Sequence, residues 1–228
     1  MRRGLLLALP LLVVAAALWA RFTAPAIASL PPLANGDLVF QTDRSTQMLA
    51  ILFATGSLYT HVGIIDIDQS GRPFVLEAAG KVRRIPLQDW LHHGYARRLT
   101  IERLSGLDAA TAAKITAKAE TYIGTPYDIF FRLGTDHLYC SELVYDAFLQ
   151  GGQIELGKLQ SVSDLNINNF AVRKIIETRW QRDPEFQPAS AINFKICFAR
   201  IQQQQIITPV SLARDRRLKI IFSNYGLL

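Results

Sequence analysis

Cysteine is scarce in this 228-residue chain, which holds only Cys140 and Cys197. That excludes a disulfide-built scaffold and the paired-cysteine patterns that bind zinc. Histidine is nearly as scarce at four, and no His-Glu-x-x-His run occurs. No metal pattern and no glycine-rich phosphate loop is present, so no cofactor is expected. Internal repeats are absent, and the glutamines at 202–205 are too short a tract to matter. Charge is also sparse, at 19% of residues with a net of +6. Three of the basic residues, Arg2, Arg3 and Arg21, flank the N-terminal apolar run, and no dense basic stripe remains. The cluster Arg214, Arg216, Arg217 and Lys219 reads as solvated surface. Nucleic acid is therefore not an expected partner. Half the residues are hydrophobic, which suits a globular domain with a sizeable core.

The N-terminus carries an address. Arg2-Arg3 precedes an uncharged run from Gly4 to Ala20, and Ala26-Ile27-Ala28 offers a small-residue cleavage site. Residues 1–28 read as a signal peptide or an N-terminal membrane anchor, with both outcomes open. Either places the domain outside the cytoplasm, in the periplasm or cell envelope. Residues 29–35, with two prolines, read as a linker, and the folded domain is expected over 36–228.

Within that domain the spacing predicts strands at "GDLVFQT", "THVGIIDID", "PFVLEAA", "KVRRIP", "ARRLTIERL", "AINFKICFARI" and "RLKIIFSN". Helices are expected over Asp108 to Ile123, from Cys140 to the Gly151-Gly152 stop, and from about Asn168 to Trp180. Strands grouped around a few helices give an α+β fold with an antiparallel sheet.

Cys140 opens the helix "CSELVYDAF", whose apolar face continues through Leu143, Val144, Ala147 and Phe148. It suits a buried core thiol, a partner of Cys197 in a disulfide, or a nucleophile. The third role demands a nearby positive charge. A free thiol titrates near 8.5 and a catalytic one about 3 units lower, or ~4 kcal/mol. A helix terminus supplies at best ~2 kcal/mol. A histidinium is the usual source of the rest. His92 and His93 read as solvated surface. His137 precedes Cys140 by three residues in an unanchored segment. His61 opens a strand, and a hairpin centred on Gln69 sets it directly opposite Glu77, on one face. A carboxylate there fixes the tautomer and favours the charged ring. A one-residue slip would separate the two. Ser141 reads as a helix-start residue.

The order "HVGIID", "VLEA", "YIGTPYDIFF", "YCSELVYDAF" and "IITPVSLARD" resembles the permuted papain-like amidases, the YiiX/YaeF-like, circularly permuted branch of the NlpC-type cysteine hydrolases. The resemblance implies a papain-like half-barrel antiparallel sheet with packed helices. It implies Cys140 as nucleophile, His61 as base and Glu77 as the residue orienting the base. Tyr127 and Tyr139 are candidates for substrate binding or packing. The implied activity is hydrolysis of an amide in a small peptide or lipid-like substrate of the cell envelope, through a thioacyl-enzyme. Lipid acyl hydrolysis or transfer, and a non-catalytic envelope-binding module, are the alternatives. The resemblance thins between Gly157 and Pro188, which reads as a lid or a substrate wall.

Overall fold

The structure, a computed structural model, describes residues 27–134, 136–187 and 193–225. The apolar run and its flanking arginines lie outside these residues. Among the described residues no helix is long and apolar enough to cross a membrane.

In chain order the elements are β1 (Leu38–Gln41), α1 (Met48–Thr55), β2 (His61–Ile67), β3 (Pro73–Ala79), β4 (Lys81–Pro86), α2 (Leu87–His93), β5 (Thr100–Leu104), α3 (Ala109–Glu120), α4 (Cys140–Asp146), β6 (Gln160–Ser161), α5 (Phe170–Arg179), α6 (Phe194–Gln203), β7 (Gln205–Ile206), α7 (Pro209–Ala213) and β8 (Leu218–Ser223). Six strands form one antiparallel sheet in the order β4-β3-β2-β1-β5-β8, and β6 pairs with β7 apart from it. The mixed, antiparallel architecture is the expected α+β fold.

Alternation along the central strands builds a core on each face of the sheet. Phe40, Val62, Ile64 and Leu76 pack on one face against Ile115 of α3 and Leu143, Val144 and Phe148 at α4. Val39, Ile65, Val75 and Ile101 pack on the other face against Leu87, Trp90 and Leu91 of α2. Coverage on both faces explains why β2 reads as a nearly continuous apolar run. The Pro-rich segment joins this second layer through Leu30 and Leu33. A third cluster lies away from the sheet: Ala50 of α1 with Val162, Ile167 and Val172.

Helix boundaries follow local capping. Asp108 accepts the Thr111 N–H at 2.9 Å to start α3, and Asn169 accepts the Val172 N–H at 3.0 Å to start α5. One expected strand is overturned. In "AINFKICFARI" the first two residues lie outside the described residues, and Phe194–Gln203 forms the helix α6 instead. Asn193 accepts the Ile196 N–H at 3.0 Å as an N-cap, and Phe198 and Ile201 pack on the third cluster. The disulfide alternative also falls, because Cys140 and Cys197 are both free thiols.

Glu102 on β5 is buried, and desolvation pushes its carboxyl up to about 7. Its folded pKa lies above the unfolded value, so its ionisation removes stability as pH rises through about 7. Glu102→Gln is expected to raise Tm more at pH 8 than at pH 5, a contrast readable by thermal denaturation. Equal gains at both pH values would contradict the assignment.

Candidate active site

Cys140 is the first residue of α4, and the helix packs against β2 and β3. Tyr139 precedes it in extended conformation without a side-chain cap. Glu142, in the third helical position, accepts the backbone N–H of Gly134 at 2.8 Å through Oε1, and its Oε2 is buried without a partner among the described residues. Burial raises the Glu142 carboxyl to about 7 despite that bond.

His61 is the first residue of β2 and is 6% exposed. The start of this strand is held by Thr60, whose hydroxyl donates to Asp43 at 2.6 Å. The His61 ring stacks on Trp90 at 6.2 Å between centroids. Its Nε2 lies 2.5 Å from Glu77 Oε2, and the ring also hydrogen-bonds the Cys140 side chain. Burial opposes the imidazolium, but the Cys140 and Glu77 contacts outweigh it and raise the His61 pKa well above 6.5.

The β2–β3 register differs from the expected one. Ile64 faces Leu76 and Ile65 faces Val75, so residue pairs run two positions away from the register centred on Gln69. A two-residue shift preserves the face, and His61 meets Glu77 diagonally instead of directly. Gly63, between them, makes room: a Cβ there would fall 2.3 Å from Val75 Cγ1 and 3.6 Å from Glu77 Cβ.

Glu77 is 1% exposed and has two cationic partners. Arg83 lies directly opposite on β4 and donates to Oε1 from Nε at 2.9 Å and Nη2 at 2.7 Å. Burial would raise the Glu77 carboxyl, yet the His61 and Arg83 contacts hold it below 4.5. The sequence reading missed Arg83. The signal was present, since a hairpin about Gly80 pairs residues 77 and 83.

Tyr127 and Tyr139 part company. The stretch before Tyr127 runs beside β4, and its own N–H donates to Gly80 O at 3.0 Å. Burial raises the Tyr127 phenol well above 10, and its hydroxyl hydrogen-bonds Cys140. It is a neutral donor beside the sulfur. The Tyr139 hydroxyl accepts the Ile207 N–H at 3.1 Å and its ring meets Phe131 edge-on at 5.3 Å. Ser141 donates to Ile207 O at 2.9 Å, so both residues tie α4 to the chain before α7. His92 and His93 are exposed and line the same pocket as His61, Glu77 and Arg83. His137 is exposed, and none of the contacts just described involves it.

Cys140, His61, Glu77, Arg83 and Tyr127 thus form one connected chain of polar contacts. Among the described residues no three His, Cys, Asp or Glu side chains group so as to hold a metal ion. The arrangement is suited to proton exchange between a thiol and an imidazole braced by a carboxylate.

Comparison with known proteins agrees in extent. The family model of the permuted papain-like amidases, YaeF/YiiX, C92 family, matches residues 32–222. The uncharacterised protein YiiX of Escherichia coli K12 is 32% identical over 160 residues, covering 70% of this chain and 78% of that protein. A crystal structure described as the metalloprotein YiiX of Escherichia coli O157:H7 superposes with a TM-score of 0.75 at 26% identity. It covers 86% of this chain and all of that one. This chain belongs to the permuted papain-like amidases of the YaeF/YiiX, C92 family.

Proposed function

We propose that this cysteine hydrolase cleaves an amide through a Cys140–His61–Glu77 site. The observation that carries the reading is His61 placed between the Cys140 side chain and the Glu77 carboxylate, with its pKa raised by both. The imidazolium beside the sulfur supports a thiolate. The thiolate attacks the carbonyl carbon, and the C–N bond breaks as His61 gives its proton to the leaving nitrogen. The acyl group stays on sulfur as a thioester. Water, deprotonated by His61, then releases the acid and restores the pair. Glu77 holds the ring and its charge, and Arg83 holds Glu77. The Tyr127 hydroxyl and the Cys140 N–H at the start of α4 are the donors for the oxyanion. The related crystal structure is described as that of a metalloprotein. Among the described residues no group of His, Cys, Asp and Glu side chains is placed to hold a metal ion, and no step runs through one.

An envelope location and a substrate found there fit the N-terminal address. Acid quench of a reacting sample followed by peptide mass spectrometry tests the thioester. An acyl adduct on Cys140 supports the reading, and turnover with the adduct on any other residue contradicts it. Tyr127→Phe is expected to lower kcat by about 10²-fold with little change in KM, the pattern of a donor used in the transition state. A change confined to KM would remove Tyr127 from the oxyanion.

A further inference from the structure

The loop that follows Tyr127 holds a strained residue beside the reacting groups. Phe131 sits at φ +57°, in the left-handed region, where a bulky side chain is a conformational outlier. Such a backbone persists only where its surroundings impose it. Here Asp128 imposes it. Its carboxylate is buried and accepts the Phe130 N–H at 2.7 Å through Oδ1 and the Arg132 N–H at 2.6 Å through Oδ2. The two bonds grip the chain on either side of Phe131. The Asp128 N–H donates to Leu138 O at 3.2 Å, which ties the start of the loop to its end. The outer side is held separately. Arg179 of α5 donates to Ile129 O at 3.0 Å, and Arg132 pairs with Asp183 and, at 2.9 Å, with Glu185.

This strain has a product. The Phe131 ring meets Tyr127 edge-on at 6.3 Å between centroids and Tyr139 at 5.3 Å. It therefore wedges between the residue that precedes Cys140 in the chain and the residue whose hydroxyl hydrogen-bonds the Cys140 side chain. A negative φ at Phe131 would send its Cβ in another direction. A loop built for packing alone would place glycine at such a φ, as this loop does with Gly134 at φ +71°. We propose that Asp128 and Phe131 are positioning residues for the oxyanion donor: Asp128 fixes the loop so that the Phe131 ring braces Tyr127 with its hydroxyl at the Cys140 sulfur. A donor of this kind works by being in place before charge develops, and a phenol free to turn would not be. The inference rests on Cys140 as nucleophile and on Tyr127 as oxyanion donor.

The test is acylation of the full chain by p-nitrophenyl acetate, read as the burst of p-nitrophenolate and as the mass of the Cys140 peptide. The thiolate attacks the ester carbonyl, the C–O bond breaks, p-nitrophenolate leaves and the acetyl group stays on sulfur. Phe131→Gly removes the ring while suiting the backbone, and Asp128→Asn leaves one acceptor for two N–H groups. Each is expected to slow acylation about 10-fold, with the full effect of Tyr127→Phe as the ceiling. In the Tyr127→Phe background the same substitutions should cost less than about twofold more, because the hydroxyl they position is gone. A purely structural role would not produce that dependence. The Tm of each variant establishes folding, and Phe131→Gly decides the matter should Asp128→Asn unfold. Losses that multiply in the Tyr127→Phe background overturn the positioning role and leave Cys140 as nucleophile. So do folded loop variants, or a Tyr127→Phe protein, that acylate as fast as the native chain. Absence of an acetyl adduct on Cys140 overturns both readings.

Discussion

His61→Ala lowers turnover of an amide substrate by about 10²–10⁴-fold, and Cys140→Ser lowers it at least as far. The two losses have one cause. Without His61 the sulfur loses the cation beside it and the leaving nitrogen loses its proton donor. Without the sulfur the imidazole has nothing to activate. Residues that act as a unit are strongly non-additive, so the double variant should be about as slow as the worse single one. Both variants should fold. Cys140 sits at the margin of a core supplied by Leu143, Val144 and Phe148, and Glu77 keeps Arg83 when His61 is gone. Steady-state kinetics with circular dichroism check this. Full activity in either folded variant would defeat the assignment.

Glu77→Gln and Arg83→Met act on opposite limbs of the pH profile. His61 has a folded pKa well above 6.5, so its imidazolium persists above neutrality and is lost as pH rises through the folded value. Glu77 contributes to that rise. Glu77→Gln removes the anion, so the alkaline limb of kcat/KM moves down toward 6.5. Above the new limb, each unit moved costs about tenfold in activity. The neutral amide still orients the ring, so the loss stays smaller than that of His61→Ala. Arg83→Met acts differently. Glu77 is held below 4.5 in part by Arg83, and its stabilising charge is lost as pH falls through its folded pKa. Without the guanidinium that pKa rises, so the acid limb of activity moves up and acid unfolding begins earlier. A pH–rate series on the three proteins reads both shifts. Identical profiles would mean that the carboxylate and arginine are only packing.

How much of this was legible in the sequence differs from element to element. The strands β1 to β5 and β8 stood out because short runs rich in apolar and β-branched residues were bounded by turn residues. The site pair survived an error in register because face depends only on parity. The hairpin centres on Ser70 instead of Gln69, because Asp68 closes the turn by accepting the N–H groups of Ser70 and Arg72 at 2.9 Å each. Arg83 stayed hidden because β4 was not folded back on β3, although Gly80, with φ +73°, joins them directly. The misread segment was α6. Phe194, Phe198 and Ile201 also recur at helical spacing, and the Asn193 cap together with burial against the third cluster decides between the two periods. The meeting of Cys140 with His61 joins two residues far apart in the chain across two packed layers. No local pattern encodes that contact, and the family resemblance alone pointed to it.

The pH dependence of iodoacetamide alkylation at Cys140, in the native chain and in His61→Ala, tests the thiolate–imidazolium pair most directly. Cys197 serves as the internal reference, since burial pushes its thiol up to about 11. Cys140 is expected to label much faster than Cys197 at neutral pH, and His61→Ala to remove this advantage. A Cys140 that labels as slowly as Cys197, or equally fast without His61, would contradict the pairing.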